Sequence, residues 1–234
     1  MPRRKVVLVE GIIGAGKSVL TEELGRALGK STLTLMEPDE KDGANPYLQD
    51  FYKDAERWAL IMQVHLLQAR FRMHQQAQWH AMNNYGHAVL DRSFQGDTCF
   101  ARMLHRSGVM SQREFDTYKS IYHAMTASVL LPNVCVRLVV APRVAQGRIK
   151  RRMEEQTGRE CEDVIDLQYL TDLDTEISHM TDVLRGMGVS VIELPWDDHR
   201  EKSADRAAVI ERLAAQIVEN GPVDLFLDTH RRSI

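Results

Sequence analysis

The chain has 234 residues, 44% hydrophobic and 27% charged, with a formal net charge of -3 at pH 7. Such a chain is long and apolar enough to bury a sizeable core, which excludes wholesale disorder, and it carries no basic excess for sequence-independent binding along a nucleic-acid backbone. An anionic small ligand stays compatible with that charge; a nucleic-acid partner is not expected.

Residues 6–9, VVLV, are apolar and largely β-branched without alternation, the pattern of a strand buried on both faces of a parallel sheet. They run into Gly11-Ile12-Ile13-Gly14-Ala15-Gly16-Lys17-Ser18, which fits G-x-x-x-x-G-K-[ST], the P-loop. Its glycines let successive N–H groups curl around one concavity, and the helix behind adds its positive end, so the loop is expected to hold phosphates. Lys17 is placed to reach the outer phosphates and Ser18 to ligate Mg²⁺. Residues 17–29 set Val19, Leu20, Leu24, Ala27 and Leu28 on one helical stripe that closes at Gly29.

A second strand, 31–37, ends at Glu37 before Pro38. A carboxylate at the carboxyl end of a parallel strand faces the ligand crevice, where it can accept a proton from an attacking hydroxyl. Residues 47–83 form one long helical pattern with no glycine or proline after Pro46 to break it. The third strand, 87–93, ends in Asp91-Arg92-Ser93, a carboxylate suited to a metal beside a guanidinium suited to a transferring phosphate. Further strands are predicted over 134–140 and 189–194, and helices over 94–106, 111–130, 142–156, 166–187 and 201–219. Strands alternating with helices predict an α/β fold on a parallel sheet, a single domain over residues 1–220 with a tail at 221–234.

Cys99, Cys135 and Cys161 lie far apart, in neither a metal-type pair nor a disulfide framework, which fits a reducing, cytoplasmic setting. No apolar run is long enough for a signal h-region or a membrane span, so the expectation is a soluble, unanchored protein. His65, His74, His80 and His87 do not repeat the spacing of a helical zinc pair, and Trp58 and Trp79 read as packing residues, with Trp58 also placed to wall a pocket.

Taken together, EGIIGAGKS, the MEP at Glu37, NPYLQDFYKDAERWALIMQ (45–63), LDRSFQGD (90–97), RIKRR (148–152) and GRECEDVIDLQYL (158–170) resemble the deoxynucleoside kinase family, its bacterial type above all, over about residues 5–195. The resemblance implies a P-loop kinase fold with a central five-stranded parallel sheet, an arginine-rich lid at about 148–162, ATP and Mg²⁺ as cofactors, and a homodimer through the long helices. It implies Glu37 as general base for the 5′-hydroxyl, Arg92 as the arginine steadying that hydroxyl, and Asp91 beside Mg²⁺. Tyr52 and Glu162 resemble the pair on the sugar 3′-hydroxyl, and Gln63 the base-reading glutamine. Arg148, Arg152 and Arg159 fall where lid arginines close over ATP phosphates.

Arg70 and Asp97 match a family pair at the far edge of the base. An ionised Asp97 only accepts hydrogen bonds, so it favours an exocyclic amino group, while Arg70 suits N7 or a carbonyl oxygen. This predicts purine deoxynucleosides, with deoxycytidine second, and rejects thymidine; without the resemblance, a weak surface ion pair is the simpler account of the two residues. Two rivals are a nucleotide kinase of the thymidylate kinase type, disfavoured by the acidic MEPDEKDG stretch, and a non-catalytic protein on the same fold.

Overall fold

The computed structural model describes residues 4–37, 45–155, 163–198 and 203–219. Five strands, β1 (Val6–Glu10), β2 (Leu33–Leu35), β3 (Ala88–Asp91), β4 (Val134–Val139) and β5 (Ser190–Pro195), form one parallel sheet in the order β2-β3-β1-β4-β5. β1 and β3 are buried at every position and β4 nearly so, while β2 and β5 at the edges are partly exposed. Helices on both faces produce this pattern, and they explain why the inner strands read as continuous apolar runs. Each fully buried Val or Leu there contributes about 1.5–3 kcal/mol relative to exposure.

The helices are α1 (Lys17–Ala27), α2 (Leu48–Lys53), α3 (Ala55–Met82), α4 (Phe94–Arg106), α5 (Gln112–Thr126), α6 (Pro142–Glu155), α7 (Leu167–Gly186) and α8 (Ser203–Glu219). The single helix expected over 47–83 is two helices. Asp54 leaves helical geometry (φ -148°, ψ 78°) and its carboxylate accepts from Arg57 N at 3.3 Å, capping α3. An aspartate cap thus does what a glycine or proline would otherwise do. The helix expected over 111–130 stops at Thr126, ahead of the extended segment that Pro132 requires. Tail residues 221–234 lie outside the described residues.

Register decides where the site forms. Val9 pairs with Asp91 across β1 and β3, and Leu35 with Leu90 across β2 and β3. Glu10, Asp91 and Glu37, each at or just past a strand's carboxyl end, are therefore brought to one edge of the sheet, at the point where strand order reverses.

Candidate active site

A cavity of about 420 Å³ opens at that edge, within the size range of small-ligand sites. Lys17, Ser18 and Gly14 line one end; Glu37, Asp91 and Arg92 lie along it; Gln63 and Arg70 of α3 line the other side. Tyr52, Arg152, Phe100 and Tyr169 are also among the lining residues.

The P-loop is seated on the rest of the fold by close approach. Gly14 has φ 79°, and a Cβ there would lie 2.6 Å from the carbonyl oxygen of Ala145 and 2.9 Å from Ile149 Cγ1 on α6. Lys17 is buried, donating to Ile12 O at 3.0 Å, and Ser18 Oγ donates to Asp91 Oδ2 at 2.6 Å. Burial and the charge of Arg92 push the Lys17 ammonium down to about 8, against the opposing pull of Asp91, Glu37 and Glu10. Asp91 Oδ1 is buried with no partner among the described residues. A hydroxyl and one carboxylate with a spare oxygen fit Mg²⁺, which keeps water and phosphate oxygens as its other ligands.

Arg92 sits on a strained backbone, φ 69°, which a non-glycine residue holds only where its surroundings demand it. Its N–H donates to Val9 O at 3.0 Å, its Nε donates to Glu37 Oε2 at 3.2 Å, and its guanidinium lies 4.9 Å from the Phe100 ring centre. Glu37 also accepts from Arg70 at its other oxygen. Burial works to raise the Glu37 carboxyl, but Arg92, Arg70 and Lys17 outweigh it and hold it well below the usual carboxylate range.

Arg70 is buried and bridges two carboxylates, Glu37 and Asp97, so the alternative of a surface ion pair is excluded. Asp97 is placed otherwise than expected. It is fully buried behind Arg70, does not line the cavity, and its second oxygen accepts from Tyr118 Oη at 2.6 Å. Each of its oxygens accepts a hydrogen bond from within the protein, Oδ1 from Arg70 and Oδ2 from Tyr118. Gln63 does line the cavity, and its Oε1 is buried with no partner among the described residues.

Arg148 also differs from its expected lid position. It is buried beneath the P-loop, donating to Ala15 O at 3.2 Å and Trp196 O at 2.8 Å, and it is not among the cavity-lining residues. Its guanidinium ties loop, α6 and the segment after β5 together. Arg152, one turn further along α6, does reach the cavity. Arg159 and Glu162 lie outside the described residues. Trp58 packs against Tyr47 with ring centres 5.8 Å apart and does not line the cavity. Among the described residues no cluster of His, Cys, Asp or Glu is arranged to hold a metal, and no helix is long and apolar enough to cross a membrane.

Two residues of this network were not anticipated. Glu10, fully buried at the end of β1, accepts from Ser93 Oγ at 2.5 Å and lies 3.9 Å from Arg92. Burial raises its carboxyl, opposed by Arg92 and Ser93. An apolar strand that ends in an acid was the available signal, identical to that at Asp91. Tyr118 on α5 carried none. The Glu10 carboxylate also explains Gly96: a Cβ there would lie 2.6 Å from Glu10 Oε1. Gly96→Ala is expected to displace Glu10 from beneath Arg92, costing about 1–3 kcal/mol of stability; thermal melting checks this, and an unchanged melting temperature would contradict the close approach.

Comparison with known proteins bears on the family and the fold. The model of the family described as Deoxynucleoside kinase matches residues 7–219. A deoxyadenosine kinase of Dictyostelium discoideum is 33% identical over 193 residues, 82% of this chain and 72% of that protein. A deoxyguanosine kinase of the same organism is 34% identical over 194 residues, and the aligned part is 83% of this chain and 65% of that protein. The deoxyadenosine/deoxycytidine kinase of Bacillus subtilis is 29% identical over 223 residues, 94% of this chain and 96% of that protein. A solved structure of deoxyadenosine kinase from M. mycoides shares the fold, with a TM-score of 0.70 at 23% identity over 90% of this chain and 99% of that one. With a match that runs from β1 through the P-loop and the whole cavity to the end of α8, the chain belongs to the deoxynucleoside kinase family.

Proposed function

We propose that the chain transfers the γ-phosphoryl group of ATP to the 5′-hydroxyl of a deoxynucleoside, a purine deoxynucleoside by preference. The observation that carries this reading is a single cavity with a P-loop lysine and serine at one end and, along it, a carboxylate held between two arginines. In it the P-loop amides and Lys17 hold the phosphates of ATP, and Glu37 accepts the 5′-hydroxyl proton. Arg92 steadies the attacking oxygen and the transferring charge, and Arg152 and Arg159 are the arginines assigned to the ATP phosphates in this reading. Ser18 and Asp91 are the residues that would hold Mg²⁺, which when bound neutralises charge on the β and γ oxygens. Tyr52 and Glu162 take the 3′-hydroxyl in this reading. Catalysis is then positioning and electrostatics, with little covalent work for the protein.

The base meets Gln63 Oε1, an acceptor, and Arg70, a donor. That pair alone suits several bases, since thymine too offers N3–H and O4. With Asp97 sealed behind Arg70, the purine preference rests instead on relatives named deoxyadenosine and deoxyguanosine kinases, beside one named deoxyadenosine/deoxycytidine kinase. The test is transfer from Mg²⁺·ATP to the four deoxynucleosides and to their 5′-monophosphates in parallel. Turnover of deoxyadenosine or deoxyguanosine above thymidine is expected. Turnover of monophosphates alone would replace this reading by a nucleotide kinase, and inactivity toward every acceptor would overturn it.

A further inference from the structure

Glu37 has two guanidinium partners, and they are held in different ways. Arg92 is fixed by its own backbone and by the carbonyl of Gly11, 3.5 Å from its Nη1, while both guanidinium groups lie over the Phe100 ring, Arg92 at 4.9 Å and Arg70 at 5.9 Å. Arg70 extends from the middle of α3 and is anchored at one side to Asp97, which cannot follow it: Asp97 is fully buried and pinned by Tyr118. At its other side Arg70 meets Glu37, whose side chain is 27% exposed and is the least enclosed member of the chain Tyr118–Asp97–Arg70–Glu37. Arg70 Nε is buried with no partner among the described residues, and the residue lines the cavity on the same side as Gln63. One guanidinium thus reaches both the base end of the cavity and the carboxylate at its reacting end.

A carboxylate with an arginine on each oxygen has poor capacity to receive a proton, because both oxygens already accept charge-assisted hydrogen bonds. Removing Arg70 alone from that arrangement leaves Oε2 oriented by Arg92 and Oε1 open. We propose that Arg70 makes the availability of Glu37 conditional on the nucleobase. Before the nucleoside enters, Arg70 holds Oε1; a base edge offering an acceptor atom draws the guanidinium toward the base and releases that oxygen to the 5′-hydroxyl. Asp97 and Tyr118 act as positioning residues that fix the pivot. The depressed proton affinity of Glu37 agrees with its being held by both arginines. Base identity is then read in kcat as well as in KM, since a poorly matched base binds without freeing the carboxylate.

The inference rests on the proposed nucleoside kinase reading, and the test separates the two. Steady-state kinetics with Mg²⁺·ATP compare deoxyadenosine with its base-less analogue, the tetrahydrofuran sugar that keeps the 3′- and 5′-hydroxyls. In the wild-type protein kcat should fall at least about tenfold when the base is removed, in addition to any rise in KM. In Arg70→Met/Asp97→Asn, which removes the pair without leaving a buried charge uncompensated, kcat for the two acceptors should agree within about twofold. Arg70→Lys keeps one charge but loses the fork that spans both carboxylates, and should shrink the wild-type difference in kcat. A wild-type response confined to KM, or a kcat difference that persists undiminished in both variants, would overturn the inference while leaving the kinase reading intact. Inactivity of the wild type toward deoxyadenosine and every other deoxynucleoside would remove both.

Discussion

Glu37→Gln is expected to lower kcat for deoxynucleoside phosphorylation by about 10²–10⁴-fold, the range that a positioned general base supplies. Glutamine keeps the size of the side chain and can still accept from Arg92 and Arg70 through one oxygen, but it cannot take the proton of the 5′-hydroxyl. KM for the nucleoside should change far less than kcat, because the residues that grip base and sugar stay in place. The same substitution has a signature in stability. In the fold, the two arginines hold the Glu37 carboxyl below its ordinary 4.5, so its pairing contributes stability that is complete above that value and is lost as the pH falls toward the folded one. Glu37→Gln should therefore be the less stable form at neutral pH and should lose less stability on acidification, which denaturant titration at several pH values will show. Equal kcat in the variant and the wild type would remove Glu37 from the reaction.

Lys17→Met is expected to reduce kcat by about 10²–10³-fold, as when one charge-stabilising donor is removed from a reacting centre. Its effect on the protein without nucleotide should have the opposite sign. The ammonium is buried and repelled by Arg92, which places its pKa at about 8 in the fold against an ordinary 10.5. A lysine whose folded value is depressed costs stability below that folded value, and the cost is relieved as the pH rises from about 8 toward 10.5. Methionine fills similar volume without the charge, so at neutral pH the variant should melt higher than the wild type when nucleotide is absent. Nucleotide should then stabilise the wild type and leave the variant almost unchanged. A variant that melts lower without nucleotide, or that gains as much from ATP as the wild type, would contradict this account of Lys17.

Much of the fold and of the P-loop end of the cavity was legible locally. VVLV, the glycine spacing through Lys17-Ser18, and strands that end in Glu37 and Asp91-Arg92 are each written within a few residues, and apolar runs alternating with helical stripes predict a parallel sheet. The break at Asp54 was missed because an aspartate signals a helix start only when its carboxylate is free to cap, and that depends on where the chain goes next. Glu10 ends a strand as Asp91 does, but its partners Ser93 and Arg92 lie more than 80 residues away, so its local sequence does not show that it is buried in the network.

The α3 side of the cavity could not be read in this way. Arg70, Asp97 and Tyr118 lie on three different helices, and nothing in their spacing says that Asp97 faces inward to Arg70 and Tyr118 instead of outward to a ligand. Arg148 and Arg152 differ by one helical turn in sequence, yet one is locked under the P-loop by backbone carbonyls from two other segments and the other reaches the cavity. The sequence by itself determined the strands, the P-loop and the acids at Glu37 and Asp91, because each depends on neighbours a few residues away. Tertiary structure alone decided which charges are paired, which are buried and which face the ligand. Those properties depend on packing between helices brought together from distant parts of the chain, and no local pattern encodes the direction in which a long charged side chain finally points.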